Sequence, residues 1–372
     1  MKNRTQQFFN DDWNKITALL PEGWEAQAKV LEALKFGRKI KTPNQLLRLL
    51  LQHFCNNDSM RTTVAKGAAG ELAEISDVGL LKRIDKSGAW LRWICAHLNE
   101  TTSASVVLSD FLQGRRILVA DGSVVCEPRA VNATWRLHYM LNLRTLACHE
   151  MHLTSAKIGE SLTIFQVALG DLILFDRGFT NRRGINHVLD GGGDILARMN
   201  LTSLPLLDVT GEKFDVLPLL RTLEYGQCNE WSAVLQGSHG NVPVRVCAYR
   251  KTLEQKQTSE RKLKKETSKR ARVKAVQPNT LEMAGYVVVV TTLSELSAQD
   301  ILELYRHRWQ VELSFKRLKS LLEFGNLKKK NPEGAKAWLQ GKLLVACLIE
   351  RLIALGELFS PQCDQEAPEI DI

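Results

Sequence analysis

The sequence predicts an α/β fold, a mixed sheet flanked by helices and preceded by a helical region. Three observations carry that prediction. Residues 1 to about 105 read as helices, whereas from Arg115 onward short apolar runs alternate with turns. Two of those runs, RRILVAD and DLILFDRGF, end in an aspartate followed by a glycine-containing turn. Near the C-terminal end, ILELYRHRWQVELSFKRLKSLL (301–322) spaces its apolar and charged residues at the helical period.

In the N-terminal region, Pro43 after Thr42 marks a helix start, and NQLLRLLLQHF continues it. Further helices are expected over 71–85 and 90–98, with RTTVAKGAAG (61–70) as a turn between helices. Helix pairs of this kind build helix-turn-helix modules, so residues 1–105 are expected to bind DNA, although packing alone also explains them. The block 106–200 predicts three consecutive strands, a helix opening near Ile158 with Glu160 in its first turn, a strand, a helix over 181–190 and a strand over 194–200.

Residues 201–284 form an insertion. Its first part, with NEWSAVLQ and VPVRVCAYR, alternates like antiparallel strands, and RKTLEQKQTSERKLKKETSKRARVKA (250–275) carries eleven basic and three acidic residues. That basic arm has no apolar stripe to bury. A solvated helix accounts for it, and DNA phosphates would be its natural counter-charge. GYVVVVTTL returns the chain to a buried strand in a second sheet-forming part, 285–325, and an apolar helix over 335–358 dominates the region 326–372. KKK at 328–330 and the acidic end PQCDQEAPEIDI flank that helix.

Chemistry is concentrated in three places. Ser297 is the expected N-cap of the 301–322 helix, with Asp300 completing a capping box. On a wheel, Leu304, Val311, Phe315, Leu318 and Leu322 form an apolar stripe, and Tyr305, Arg308, Glu312, Lys316 and Lys319 form a second stripe directly beside it. Pairs such as Arg308–Glu312 would stabilise any solvated helix. A charged stripe bordering a buried one, however, sets Glu312 at the edge of a cleft. There a carboxylate suits a hard metal ion and the cations suit phosphates. Asp121 and Asp176, each after an apolar strand, are expected to project from a sheet edge where sites in α/β folds form, although either alone could be a turn former. Three converging carboxylates can hold two divalent cations for phosphoryl transfer, and without metal at least one of them should have a raised pKa.

The spacing Tyr305-x2-Arg308-x3-Glu312-x6-Lys319 resembles the YREK signature of bacterial insertion-sequence transposases of the DDE type, and ILVADGS and LILFDRGF resemble their two aspartate motifs. The resemblance covers about residues 110–325. It implies an RNase H-like catalytic domain split by a β-rich insertion, with Asp121, Asp176 and Glu312 binding two Mg²⁺ ions (Mn²⁺ as substitute). Arg308 and Lys319 would hold phosphates near the cut, and Tyr305 would hydrogen-bond a phosphate or order the strand; Lys316, Arg177 and Trp309 are further DNA-contacting candidates. The implied partners are transposon ends and target DNA, with a homodimer bringing two ends together, and the implied pathway passes through a hairpin with a base flipped onto an aromatic. Trp309 and Trp231 are candidates for that stacking, Trp231 being the better core residue. A nuclease that cuts without joining and a non-catalytic DNA-binding relative are the alternatives.

Composition agrees with an anionic partner: 372 residues carry a formal net charge of +9, with a pI near 9.1. Eight scattered cysteines without a CxxC exclude a zinc ribbon and are expected to be free thiols. CHEMH (148–152) is not expected to bind metal, because His149 and His152 point to opposite faces of a strand. No N-terminal apolar segment or membrane-length run is present in the sequence, so a cytoplasmic, nucleoid-associated location is expected.

Overall fold

The computed structural model describes residues 12–56, 58–99, 112, 114–126, 134–268, 276–321, 327 and 332–357. Among these, an eight-stranded mixed sheet forms the centre. Its strands are β1 (Ile117–Val125), β2 (Trp135–Asn142), β3 (Ala147–Ser155), β4 (Leu172–Phe175), β5 (Asp194–Arg198), β6 (Cys228–Gln236), β7 (Asn241–Arg250) and β8 (Tyr286–Thr291). The order across the sheet is β3-β2-β1-β4-β5-β8-β7-β6. β1, β4 and β5 run parallel, while β2, β3, β8, β7 and β6 join through antiparallel pairs. The first five strands, with β2 antiparallel to β1, have the RNase H-like arrangement. The insertion adds its two strands to the same sheet beyond β8.

Strand periodicity divides the core into two layers. Ile117, Val119, Leu137, Tyr139, Leu172, Leu174 and Leu196 face one layer; Leu118, Ala120, Met140, Ile173, Phe175, Ile195 and Ala197 face the other. Helices α1 (Trp24–Val30), α2 (Pro43–Asn56), α3 (Met60–Ala69) and α4 (Asp77–Asn99) belong to the first layer. They pack with a C-terminal helix (Pro332–Glu357) through Trp90, Ile94 and Leu98 on one side and Trp338, Leu339 and Leu344 on the other. Arg351 Nη1 donates to Leu98 O at 3.2 Å, and Trp90 Nε1 to Trp24 O at 2.7 Å. The second layer is closed by α5 (Arg182–Asp190), α6 (Val216–Arg221) and the base of the insertion. α7 (Leu253–Ser268) buries no residue, as its composition predicts, and α8 (Pro278–Met283) follows it.

Several elements differ from the sequence reading. RTTVAKGAAG lies largely within α3, because Ser59 caps it by accepting from the Thr62 N–H. The two helices expected over 71–85 and 90–98 are the single α4. The helix expected from Ile158 is only a 3-10 turn, Leu162–Ile164, capped by Ser161. The 301–322 helix is two helices, α9 (Ala298–Arg306) and α10 (Trp309–Leu321), with a turn at His307–Arg308; the C-terminal helix is α11. KKK at 328–330, the acidic end, residues 269–275 of the basic arm, Leu322 and the side chain of Leu318 lie outside the described residues.

The start of β4 is locked to β1 by a bidentate pair. Arg116 Nε and Nη2 donate to Asp171 Oδ1 and Oδ2 at 2.7 and 2.8 Å, and the Ala168 N–H donates to Oδ2 at 2.8 Å. Asp171 is almost fully buried, so these bonds hold the parallel register Ile117↔Leu172 through Ala120↔Phe175. Asp171→Ala should therefore lower unfolding stability by about 2–4 kcal/mol, measured by urea denaturation.

Candidate active site

The register of β1 and β4 delivers the two aspartates together. Since Ala120 pairs with Phe175, Asp121 and Asp176 stand one residue further at the same height. Both share the parity of Ile117, Val119, Leu172 and Leu174, so both start on the helix-covered face. Asp176 directly follows β4, as expected. Asp121 does not end its strand: β1 continues to Val125 along β2, and only its pairing with β4 stops at Ala120. Each carboxylate accepts from a following glycine, Asp121 Oδ1 from the Gly122 N–H at 2.7 Å and Asp176 Oδ1 from the Gly178 N–H at 2.8 Å.

Glu312 arrives on α10. Ser297 caps α9, accepting from the Asp300 N–H at 3.1 Å and donating to Asp300 Oδ2 at 2.6 Å. Leu304, Val311 and Phe315 are buried along α9 and α10, and Phe315 packs on Tyr139 with ring centroids 5.4 Å apart. Tyr139 is the residue opposite Asp121 in the β1–β2 register, so this aromatic contact seats α10 over the aspartates. Glu312 and Asp121 then line one cleft of about 530 Å³ with Gly122, Ser123, Phe315, Lys316 and Lys319. Lys319 Nζ lies 6.0 Å from the centroid of the Phe315 ring.

Arg308, in the turn between the helices, stands between the carboxylates. Its Nη2 donates to Glu312 Oε1 at 2.5 Å, and its Nη1 is 3.9 Å from Asp121 Oδ2. Among the described residues no three acidic, histidine or cysteine side chains close around a single point where a metal ion could sit. Tyr305 is buried beneath this turn, not open in the cleft, and its hydroxyl donates to Phe175 O at 3.4 Å, next to Asp176. Trp309 is 38% exposed, whereas Trp231 packs partly buried against the second core layer.

Crowding of charge is visible in the titration of Asp121. Burial pushes its carboxyl up to about 6, and Asp176 and Glu312 add to the rise; the Gly122 N–H and Arg308 oppose it. Cations balance the other side of Asp176. Arg177, buried enough to hold its guanidinium below the usual range, shares a cavity of about 230 Å³ with Arg198, Lys251, Ser259 and Lys262. Burial brings Arg198 down to about 10 and Lys251 to about 8, with neighbouring cations adding to both shifts.

The sequence reading missed Arg198, Lys251, Glu160 and Arg136. Arg198 hid in a strand and Lys251 in a basic run, and nothing in their spacing sets them apart. Glu160 is half-buried and accepts from Arg136 Nη1 at 2.8 Å; burial and then Asp176 raise its carboxyl. The glycines after each aspartate were its only signal. In the CHEMH segment, His152 Nε2 pairs with Glu150 Oε1 at 2.5 Å. No described helix is long and apolar enough to cross a membrane.

Asp121 takes up its proton near pH 6 when folded and near 3.8 when unfolded. Above pH 6 the folded state carries the full cost of the buried charge, and this cost disappears as the pH falls through both values. In EDTA, Asp121→Asn should stabilise the protein at pH 7.5 by about 1–3 kcal/mol, and the gain should vanish by pH 4. Urea titrations at the two pH values measure both.

Comparison with known proteins shows the family. Residues 113–348 match the Transposase DDE domain family. The chain is 33% identical over 366 residues to the putative transposase InsL for insertion sequence element IS186A of Escherichia coli K12, covering 95% of this chain and 97% of that one. It is equally identical, over 367 residues and the same shares, to the transposase for insertion sequence element IS421 of Escherichia coli. A solved piggyBac transposase synaptic complex with hairpin DNA aligns with a TM-score of 0.44 at 10% identity, over 93% of this chain and 73% of that one. The chain therefore belongs to the DDE-domain transposases of bacterial insertion sequences.

Proposed function

We propose that this transposase binds the terminal inverted repeats of its element, cuts the DNA ends and joins their 3′-hydroxyls to target DNA. The observation that carries the reading is the strand register that sets Asp121 beside Asp176, on the face where Glu312, Lys316 and Lys319 line the adjoining cleft. Burial lifts Asp121 to about 6, with Asp176 and Glu312 adding to the rise, and carboxylates brought together in this way are a donor set suited to a hard divalent cation. Asp121, Asp176 and Glu312 would hold two Mg²⁺ ions, with Mn²⁺ as substitute. When bound, such a pair activates a water or 3′-hydroxyl and stabilises the leaving oxygen.

The remaining residues act on the strand. Arg308, already poised between two carboxylates, would bridge them to a phosphate, and Lys316 and Lys319 would extend that contact along the cleft. Tyr305 serves chiefly from below, holding the turn that carries Arg308 against the end of β4. Arg177 would bind the backbone on the other side of Asp176. Trp309, with its ring partly in solvent, is the better residue to stack a flipped base, and a hairpin at the transposon end would follow from the YREK arrangement. A homodimer would bring two ends together. The face of α2–α4, and α7 with its exposed basic residues, would add salt-sensitive DNA contacts.

Cleavage of a labelled duplex carrying the element's end tests this. Wild type in Mg²⁺ should cut at the boundary, EDTA should abolish cutting, and Glu312→Gln should lower the rate by about two to three orders of magnitude. A hairpin product would support the YREK pathway. Binding of the ends without cutting in Mg²⁺ or Mn²⁺ would refute the catalytic reading in favour of a DNA-binding role.

A further inference from the structure

Glu160 lies in the segment joining β3 to β4 and reaches the end of the sheet where the aspartates stand. It rests against two glycines, Gly122 and Gly178, which follow Asp121 and Asp176 by one and two residues. A Cβ on Gly178 would stand 1.9 Å from Glu160 Oε2 and 3.2 Å from Asp176 Oδ1. A Cβ on Gly122 would stand 3.0 Å from Glu160 Oε1 and 3.1 Å from its Cγ. Neither glycine has a positive φ, so backbone freedom does not explain them. Space does: both positions lack a side chain where the Glu160 carboxyl sits. On its outer side the carboxyl is clamped by Arg136, whose Nη1 donates to Oε1 at 2.8 Å.

We propose that Glu160 is a positioning residue for the transposition reaction, fixing the direction of the Asp176 carboxylate. The inference rests on the reading of Asp121, Asp176 and Glu312 as the reacting centre. Asp176 Oδ1 is held on one side by the Gly178 N–H at 2.8 Å. Without a side chain at Gly178, the neighbouring recess would be open for the Asp176 carboxylate to rotate into. Glu160 fills that recess and closes it to the Asp176 carboxylate. The carboxylate is thereby kept at the strand end beside Asp121, where the register brings the pair together. Arg136 supplies the opposite charge that lets a second carboxylate stand so close. This is the role of a group that orients metal-holding carboxylates from outside without touching the substrate.

The test compares Glu160→Ala, Glu160→Gln, Arg136→Gln and Asp176→Asn. Single-turnover cleavage of pre-bound transposon ends is followed against Mn²⁺ concentration, and Mn²⁺ binding to the protein–DNA complex is titrated by electron paramagnetic resonance. Binding of the ends in EDTA and the thermal midpoint report folding. Glu160→Ala empties the recess and should lose roughly tenfold or more in cleavage, with a matching rise in the Mn²⁺ concentration for half-saturation. Glu160→Gln fills the same space and keeps an acceptor for Arg136, so it should stay close to wild type. Arg136→Gln unclamps Glu160 and should raise the Mn²⁺ requirement even if Glu160→Ala fails to fold. Wild-type Mn²⁺ dependence in both Glu160→Ala and Arg136→Gln, or in Arg136→Gln alone where Glu160→Ala does not fold, would overturn the proposal, as would Glu160→Gln as impaired as Glu160→Ala. Asp176→Asn separates the two readings. If it still cuts in Mg²⁺, the reacting centre itself is wrong; if it is inert while the Glu160 and Arg136 variants behave as wild type, only the positioning role fails.

Discussion

The parallel register of β1 and β4 is the constraint on which the rest of the site depends. A strand that slips by one residue turns every side chain to the other face. Such a slip would bury one aspartate among Phe175 and Ala120 and leave the other alone beneath α10. The bidentate Arg116–Asp171 pair at the far end of the same strands opposes it, and Arg115, paired with Asp194, ties β1 to the start of β5 in the same way. Those ion pairs are remote from the cleft, yet they set where its carboxylates stand.

The second constraint is electrostatic. Asp121, Asp176, Glu160 and Glu312 gather at one end of a sheet whose interior is apolar, and burial drives Asp121 and Glu160 toward neutrality. Each is instead met by a cation or a backbone N–H. Arg308 serves Asp121 and Glu312, Arg136 serves Glu160, and the glycine amides serve the two aspartates. On the far side of Arg177, Arg198 and Lys251 reverse the balance, and positive charge is now in excess. An anionic strand lying across this end of the sheet would meet carboxylates and cations in succession, which suits a backbone that must be both held and cut.

The break between α9 and α10 has a structural role. A continuous helix would carry Arg308 round on the same spiral as Tyr305 and Glu312. The turn at His307–Arg308 instead lets α9 pack against the insertion strands while α10 seats on Tyr139 through Phe315. Tyr305 anchors the turn from beneath, so one short segment couples the sheet, the insertion and the residue that bridges the carboxylates. The insertion is thus continuous with the sheet: β7 pairs with β8, and the chain enters α9 only a few residues after β8 ends.

Much of this was legible in the sequence. The apolar runs ending in Asp121 and Asp176, the Ser297 cap and the Leu304–Val311–Phe315 stripe identify two aspartate-bearing strands and a helical segment bordering a cleft, because period and capping are local properties. Tertiary structure decided what depends on neighbours distant in sequence. It set the aspartates side by side through strand register, broke the expected helix at Arg308, and buried Tyr305, read from sequence as a DNA-contacting residue, beneath that turn. It also brought Glu160, Arg136, Arg198 and Lys251 to the same end of the sheet. Apart from the glycines after each aspartate, no local pattern marks those four residues, since their role comes from which strands pair and which faces close, and sequence spacing alone does not encode that choice.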